Sequence, residues 1–349
     1  MKLNYEFNIC DDANDNEENS NTFTVFESIN KLFYLIYITK NNSIISYDLI
    51  NKQIIAEINI SHTGVIAHIK HYLDDINKRD LIMTCSTNEL KILDIKNYQI
   101  IFELNKNFES ACLTKYNNKY YIALASKDNP ILIYDMEGNL TNEIKNNYYI
   151  NTICSFNDEE NSYLITLNKL SMCSYKNFTF YKIYKEEYRK YGCPCCNGYA
   201  SLEQMIEYSN GTPLEGLIYK NDKNNIKLIE LNEDFDHSDF CIKIWDFHSP
   251  KADLVNKIEL GEYSFQSMCF SMCLINNNKL FVQSKLKTEI FFLDIIDEEG
   301  EFKEEILEEI EELKETNDNN YSIRKIDLPS FGECIICKIE NKINLLSLK

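Results

Sequence analysis

A seven-residue pattern recurs from one end of this chain to the other, and it restricts the fold more than any other feature. Its strongest copy is Cys241-Ile242-Lys243-Ile244-Trp245-Asp246-Phe247, which holds the only tryptophan. It reads as a short strand of alternating side chains closed by an aromatic residue and an aspartate. Weaker copies lie at 43–49, 89–95, 130–136, 170–175, 289–295 and 342–348. Most are separated by about 40 to 50 residues, with one longer gap before Trp245. Self-similarity at such a period marks a repeat architecture, in which one supersecondary unit stacks on copies of itself.

The neighbours of each copy repeat as well. A second apolar run precedes it, at 32–39, 80–85, 120–126, 162–167, 226–231, 279–283 and 333–339. Polar turn residues separate the two runs, as hairpins require. Another run stands before this pair, at 22–28, 64–70, 109–115, 149–156, 266–274 and 321–328. An alternating run often follows the copy, at 53–60, 99–104, 178–184 and 253–260. Four strands per unit and seven units predict an all-β fold, a seven-bladed β-propeller of four-stranded antiparallel blades, forming one domain over 1–349.

The chain resembles the WD40-repeat family across nearly its whole length. His62, preceded by Ser61, stands where that family carries the histidine of its Gly-His dipeptide. Asp128 lies seven residues before Asp135, with Ser126 two before that, and Asp239 lies seven before Asp246. These match the family's Ser-x-Asp turn. Trp245-Asp246 is the family dipeptide itself, and Asp94, Asp135 and Asp294 hold the aspartate position after Leu or Tyr. No repeat shows the full His, Ser, Asp and Trp set.

The resemblance implies a non-catalytic scaffold for protein–protein interaction within a multiprotein complex. It also implies that an N-terminal strand closes the ring. The last unit stops after its third strand, and the alternating run Lys2–Ile9 is otherwise unassigned, so it is expected to become the outer strand of the last blade. Closure removes exposed sheet edges, which invite aggregation. Two other readings stay open: a structural subunit of a coat, ciliary or ubiquitin-ligase assembly, and a metal or redox site in the loop Cys193–Cys196.

Charge and cysteine usage narrow the partners. The formal net charge is -19 and three arginines are present, Arg79, Arg189 and Arg324. Nucleic-acid affinity comes mainly from neutralising phosphates, so this balance argues against nucleic acid and favours a basic protein surface. A membrane is not expected either: the longest apolar run, Leu32 to Ile38, is far too short to span a bilayer. The basic pair Arg324-Lys325 lacks the rest of the lipid-binding motif found in some propellers. The 13 cysteines are odd in number and scattered through apolar runs. They read as small hydrophobes in a reducing compartment. With no signal-peptide core at the N-terminus, a cytoplasmic or nuclear location is expected, as a monomeric ring within a complex.

The chemistry-bearing candidates are few. Cys193, Cys195 and Cys196 place three thiols within four residues, but a closed zinc site needs four ligands, and the fourth would have to be His237 or His248. Unremarkable loop cysteines are the expectation, with no metal and no cofactor. Cys334 and Cys337 sit in an apolar strand whose alternation points them to opposite faces. His62 reads as a structural hydrogen-bonding residue, and His68 and His71 as surface residues near a strand end. No phosphate-cradling glycine loop, nucleophile elbow or zinc-protease motif is present. Two insertions interrupt the repeat. One spans 186–222, in which 201–208 reads as helix or strand. The other spans 297–320, in which Phe302, Ile306, Ile310 and Leu313 fall at helical spacing and suggest an amphipathic helix on the blade edge.

Overall fold

The computed structural model describes residues 3–14, 22–58, 60–126, 130–145, 149–157, 162–169, 178–183, 204–205, 212–220, 226–234, 239–248, 251–262, 271–275, 279–283, 290–294, 305–306, 321–339 and 341–348. They form seven four-stranded antiparallel sheets. Strand β1 (Leu3–Cys10) belongs to the last sheet. The first sheet is β2 (Phe23–Glu27), β3 (Phe33–Ile38), β4 (Ile44–Asp48) and β5 (Gln53–Ile58). The second is β6 (His68–Asp74), β7 (Arg79–Cys85), β8 (Glu89–Asp94) and β9 (Gln99–Asn105). The third is β10 (Ser110–Tyr116), β11 (Lys119–Ala125), β12 (Ile131–Asp135) and β13 (Leu140–Ile144). The fourth is β14 (Tyr149–Asn157), β15 (Ser162–Lys169), β16 (Phe178–Ile183) and β17 (Gln204–Met205). The fifth is β18 (Thr212–Lys220), β19 (Ile226–Asp234), β20 (Asp239–His248) and β21 (Lys251–Glu262). The sixth is β22 (Ser271–Ile275), β23 (Lys279–Gln283), β24 (Ile290–Asp294) and β25 (Glu305–Ile306). The seventh is β26 (Tyr321–Leu328), β27 (Gly332–Ile339) and β28 (Lys342–Leu348), completed by β1. The fold is all-β, a seven-bladed β-propeller whose last blade takes its outer strand from the N-terminus.

The chain divides into two compact units, 1–101 with 264–349, and 102–263. In the first unit the leading strands β22, β26, β2 and β6 are neighbours in that order. The apolar run Phe33–Ile38 shows why its sequence is continuous rather than alternating. Phe33, Leu35 and Tyr37 pack with Ile326, Leu328, Cys334 and Ile336 of the last sheet. Tyr34, Ile36 and Ile38 pack with Ile69, Ile82 and Leu93 of the second. A strand covered on both faces must be apolar on both, whereas outer strand β5 is mostly exposed. In the second unit Cys112, Ala123 and Ile133 of the third sheet pack with Ile150, Ile153 and Leu164 of the fourth. The Ser155 hydroxyl donates to the Leu113 carbonyl at 2.6 Å.

The first strand is held at both ends. It pairs with β28 from Leu3↔Leu348 to Cys10↔Ile343, interrupted by two bulges. The Ser347 hydroxyl donates to Glu6 Oε1 at 2.5 Å. The chain then crosses to the first sheet: Ala13 N–H donates to the Asn341 carbonyl at 2.9 Å, and Asn14 N–H to the Ile38 carbonyl at 2.7 Å. Phe7, Ile9 and Cys10 pack against the shared apolar cluster.

The repeat phase shows in one recurring irregularity. A bulge falls between the third and outer strands at Ser46/Tyr47, at Ile133/Tyr134 and at Ile244/Trp245. The aromatic of the aromatic-Asp pair follows the bulge each time.

Three sequence expectations need correction. The third strand of the fourth sheet is Phe178–Ile183, pairing Phe180 with Ile165, instead of the copy expected at 170–175, which lies outside the described residues. That unit lacks the closing aspartate that most other copies carry. The expected insertion at 186–222 contains structural strands, β17 closing the fourth sheet and β18 opening the fifth. In the acidic segment 297–320 the described residues are Glu305–Ile306, a strand with Ile306 opposite Phe291, while Phe302, Ile310 and Leu313 lie outside the described residues. The sheet edge at β24 offers backbone partners that outweigh the helical spacing there. Among the described residues no helix is long and apolar enough to cross a membrane.

Candidate interaction surfaces

The aspartates of the recurring pattern act on backbone. Asp48 Oδ1 accepts from the Ile50 and Asn51 N–H groups at 2.8 and 3.0 Å, and Asn51 Nδ2 donates to Oδ2 at 2.7 Å. Asp94 Oδ1 accepts from Lys96 N–H at 2.9 Å. Asp135 Oδ1 accepts from the Glu137 and Asn139 N–H groups at 3.1 and 2.8 Å. Asp74 caps the β6–β7 turn in the same way through Asn77. Desolvation pushes the Asp48, Asp74 and Asp135 carboxyls upward. The donors from Asn51, Asn77 and Asn139, aided by Arg79 at Asp74, outweigh it and hold all three below the usual carboxylate range.

Each of these turns ends on a left-handed residue: Lys52 (φ 53), Tyr98 (φ 56), Lys78 (φ 52) and Gly138 (φ 88). Glycine takes that backbone without steric cost. Here lysine takes it twice and tyrosine once. Lys31, in the β2–β3 turn, is a further left-handed lysine (φ 62).

His62 makes two side-chain contacts within the second sheet. Its buried ring bridges β7 and β8, with Nε2 3.0 Å from Thr84 Oγ1 and Nδ1 3.1 Å from Glu89 Oε2. Thr63 N–H donates to the same Glu89 oxygen at 2.8 Å. Desolvation raises the Glu89 carboxyl. The Thr63 donors, with Lys91 and His62 nearby, outweigh it and hold the group low. Lys91 stands in β8 two residues before the Leu93-Asp94 pair and donates through Nζ to the Ser61 carbonyl at 2.7 Å. The network ties the loop before β6 to the β7–β8 turn.

His68 and His71 are not surface residues, contrary to the sequence reading. They open and centre β6 rather than ending a strand. The His71 ring stacks on Phe26 at 3.6 Å and 4°, and its Nε2 lies 2.9 Å from Asp80 Oδ1. Asp80 Oδ2 accepts from Ile29 N–H at 2.9 Å, tying the β2–β3 turn to the second sheet. Burial lowers the His71 imidazole, with Asp80 opposing. Burial, with a smaller contribution from Lys70, pulls His68 down to about 4. Its Nδ1 is buried and has no hydrogen-bond partner among the described residues. The short spacing of these histidines hid this, because which strand end is covered depends on the neighbouring sheet. Arg79 pairs with Asp74 at 2.8 Å and approaches Asp94 at 3.5 Å.

The remaining sequence candidates are placed as follows. The backbone of Trp245 pairs with Leu228 and Leu254, and that of Asp246 with Lys227 and Asp253. Asp239 opens β20, and Asp294 closes β24 opposite Lys279. The side chains of these four lie outside the described residues, as do Asp128 and the whole Cys193, Cys195 and Cys196 loop. Cys334 and Cys337 are buried at 0% and 2% exposure. Burial pushes both thiols up to about 12. Among the described residues no three His, Cys, Asp or Glu side chains are grouped to hold a metal ion.

No protein-family model matches the chain, and no curated protein matches it in sequence. Solved structures do. The crystal structure of BBS1N in complex with ARL6DN, soaked with mercury, superposes with a TM-score of 0.64 at 8% identity, covering 100% of this chain and 98% of that one. The same complex soaked with lead gives 0.62 at 7% identity with the same coverage. At this identity the likeness carries the fold alone.

Proposed function

We propose that the chain is a non-catalytic propeller of WD40 type that holds a protein partner within a multiprotein complex. The observation that carries this reading is the full-length likeness to a propeller that was solved with a protein bound, BBS1N with ARL6DN. The WD40 assignment is supported by the aspartate-capped turns and by the His62–Thr84 contact. A propeller suits the task because its sheets are held on both faces. Its turns are therefore presented on a rigid frame, and less entropy is lost when a partner orders them. The thiols Cys85, Cys112, Cys273, Cys334 and Cys337 are buried among apolar side chains, which favours small-hydrophobe use in a reducing compartment, cytoplasmic or nuclear.

The test is affinity purification of the tagged full chain from its own cells, at low and at moderate salt. A stoichiometric protein partner is expected. A chain that returns alone under both conditions, or with a catalytic turnover of its own, overturns the reading.

A further inference from the structure

Four exposed aliphatic side chains of the first two sheets gather at one edge, while Ile54, Ile55 and Ile100 lie along the outer strands and Val65 before β6. Leu32, Ile50, Leu73 and Ile76 are 45%, 39%, 48% and 41% exposed. They lie in or beside the connections β2–β3, β4–β5 and β6–β7. In an antiparallel meander, the first-to-second and third-to-fourth connections share one end of the sheet. The two sheets meet at that end through the Ile29–Asp80 hydrogen bond.

The charges at this edge are sorted by depth. Lys31, Lys52, Lys78 and Lys96 are exposed. The carboxylates of the same turns, Asp48, Asp74, Asp80 and Asp94, are 7%, 1%, 5% and 8% exposed and are spent on capping or on ion pairs. Asp75 and Glu27 are the exposed acids there, and Glu27 is paired with Lys31 at 2.9 Å. Lys78 and Lys96 make no ion pair among the described residues. The outward surface is thus aliphatic and cationic, on a chain whose formal net charge is -19.

A second observation concerns backbone. Lys31, Lys52 and Lys78 occupy left-handed positions that glycine or asparagine would take at lower cost, as Asn42, Asn117 and Asn118 do elsewhere. Lys52 has an internal use, its Nζ lying 4.0 Å from the centroid of the Phe7 ring and 5.6 Å from that of Phe331. Lys78 has none of this kind. Strained residues that persist on one face point to a use for that face.

We propose that this edge docks an acidic, amphipathic segment of a protein partner. The segment's apolar side chains cover Leu32, Ile50, Leu73 and Ile76, and its carboxylates reach Lys31, Lys78 and Lys96. The proposal rests on the scaffold reading and names the face and the chemistry of its partner. The whole-chain charge suits a basic partner, and this edge reverses the sign locally. A segment fits better than an anionic membrane. A plane of anionic headgroups would also meet the field of the whole chain, whose formal net charge is -19, whereas a segment covers the edge alone.

The test uses the tagged full chain purified with its partner and treated with a zero-length carbodiimide, which joins a lysine amine to a touching carboxylate as an amide with loss of water. Mass spectrometry is expected to find Lys78 or Lys96 joined to Asp or Glu of one partner segment with apolar residues at helical spacing. The double variants Lys78→Glu/Lys96→Glu and Leu73→Ser/Ile76→Ser are expected to lower partner recovery at least tenfold at unchanged melting temperature. Val65→Glu, in the loop before β6 at the opposite edge, should not. Full recovery with both edge variants overturns the proposal and leaves the scaffold reading standing. A parent chain that returns alone overturns both. Binding to phosphatidylserine vesicles that Lys78→Glu/Lys96→Glu abolishes, without carboxylate cross-links, assigns the edge to a lipid surface and overturns the proposal.

Discussion

Acid should unfold this protein in a window set largely by one residue, His68. The residue opens β6 opposite Cys85, whose thiol burial pushes up to about 12 and so keeps neutral throughout. Burial, with Lys70 adding to it, holds the folded-state imidazole at about 4. The free imidazole titrates near 6.5. A folded pKa below the unfolded one means that the unfolded chain takes up the proton first. The stabilisation is complete above about 6.5 and is lost as pH falls toward 4. Linkage over that shift gives a loss of about 2 kcal/mol between pH 7 and pH 5, and about 3 kcal/mol by pH 4. The variant His68→Gln stays neutral at every pH and is close in size. Urea unfolding of parent and variant at pH 7, 6 and 5 should show the parent losing about 2 kcal/mol more than the variant across that range. Carboxylates and His71 titrate in both proteins and cancel in the difference. Equal losses in the two proteins would refute the claim that His68 is neutral in the fold.

Two further outcomes follow from the strand ends and turns. Removing residues 1–12 strips the partly buried Phe7 and Ile9 from the shared cluster and bares the edge of β28; the contacts of those two side chains alone amount to about 1.5 to 3 kcal/mol, and a thermal melt unchanged by the truncation would contradict the closing role of β1. Lys78→Gly relieves a left-handed backbone (φ 52) that costs about 1 to 2 kcal/mol against an entropic penalty of about 0.5 to 1 kcal/mol for glycine, so its melting temperature should rise; a fall would show that the turn is not strained.

The frame was legible because its markers are chemical. The aspartates at 48, 94 and 135 recur because each turn has orphan N–H groups to satisfy. The double-faced strands read as apolar runs because both faces are covered. Where the marker is missing the reading slipped: β16 ends without an aspartate, and β18 carries Pro213 and Gly216, which look like loop. The contacts of His62 with Thr84 and Glu89 join residues 22 and 27 positions away, which no local pattern encodes. The burial of His68 and His71 was not legible either, because their cover comes from neighbouring strands rather than from their own. The lysine-rich edge was equally hidden. Left-handed turn positions announce themselves as Gly or Asn, and Lys31, Lys52 and Lys78 carry no such signal.

The pairing of Leu3–Cys10 with Ile343–Leu348 also sets an order in time. Synthesis runs from the N-terminus at roughly 5 to 20 residues per second, so the first strand of the last sheet exists for about 17 to 70 seconds before the strand it pairs with. Through that interval its apolar residues Phe7 and Ile9 have no sheet to join, and neither does the N-terminal side of the cluster under Leu35 and Tyr37. The interval is one in which a chaperone, or the β1 segment of a second nascent chain, can compete for the same surface.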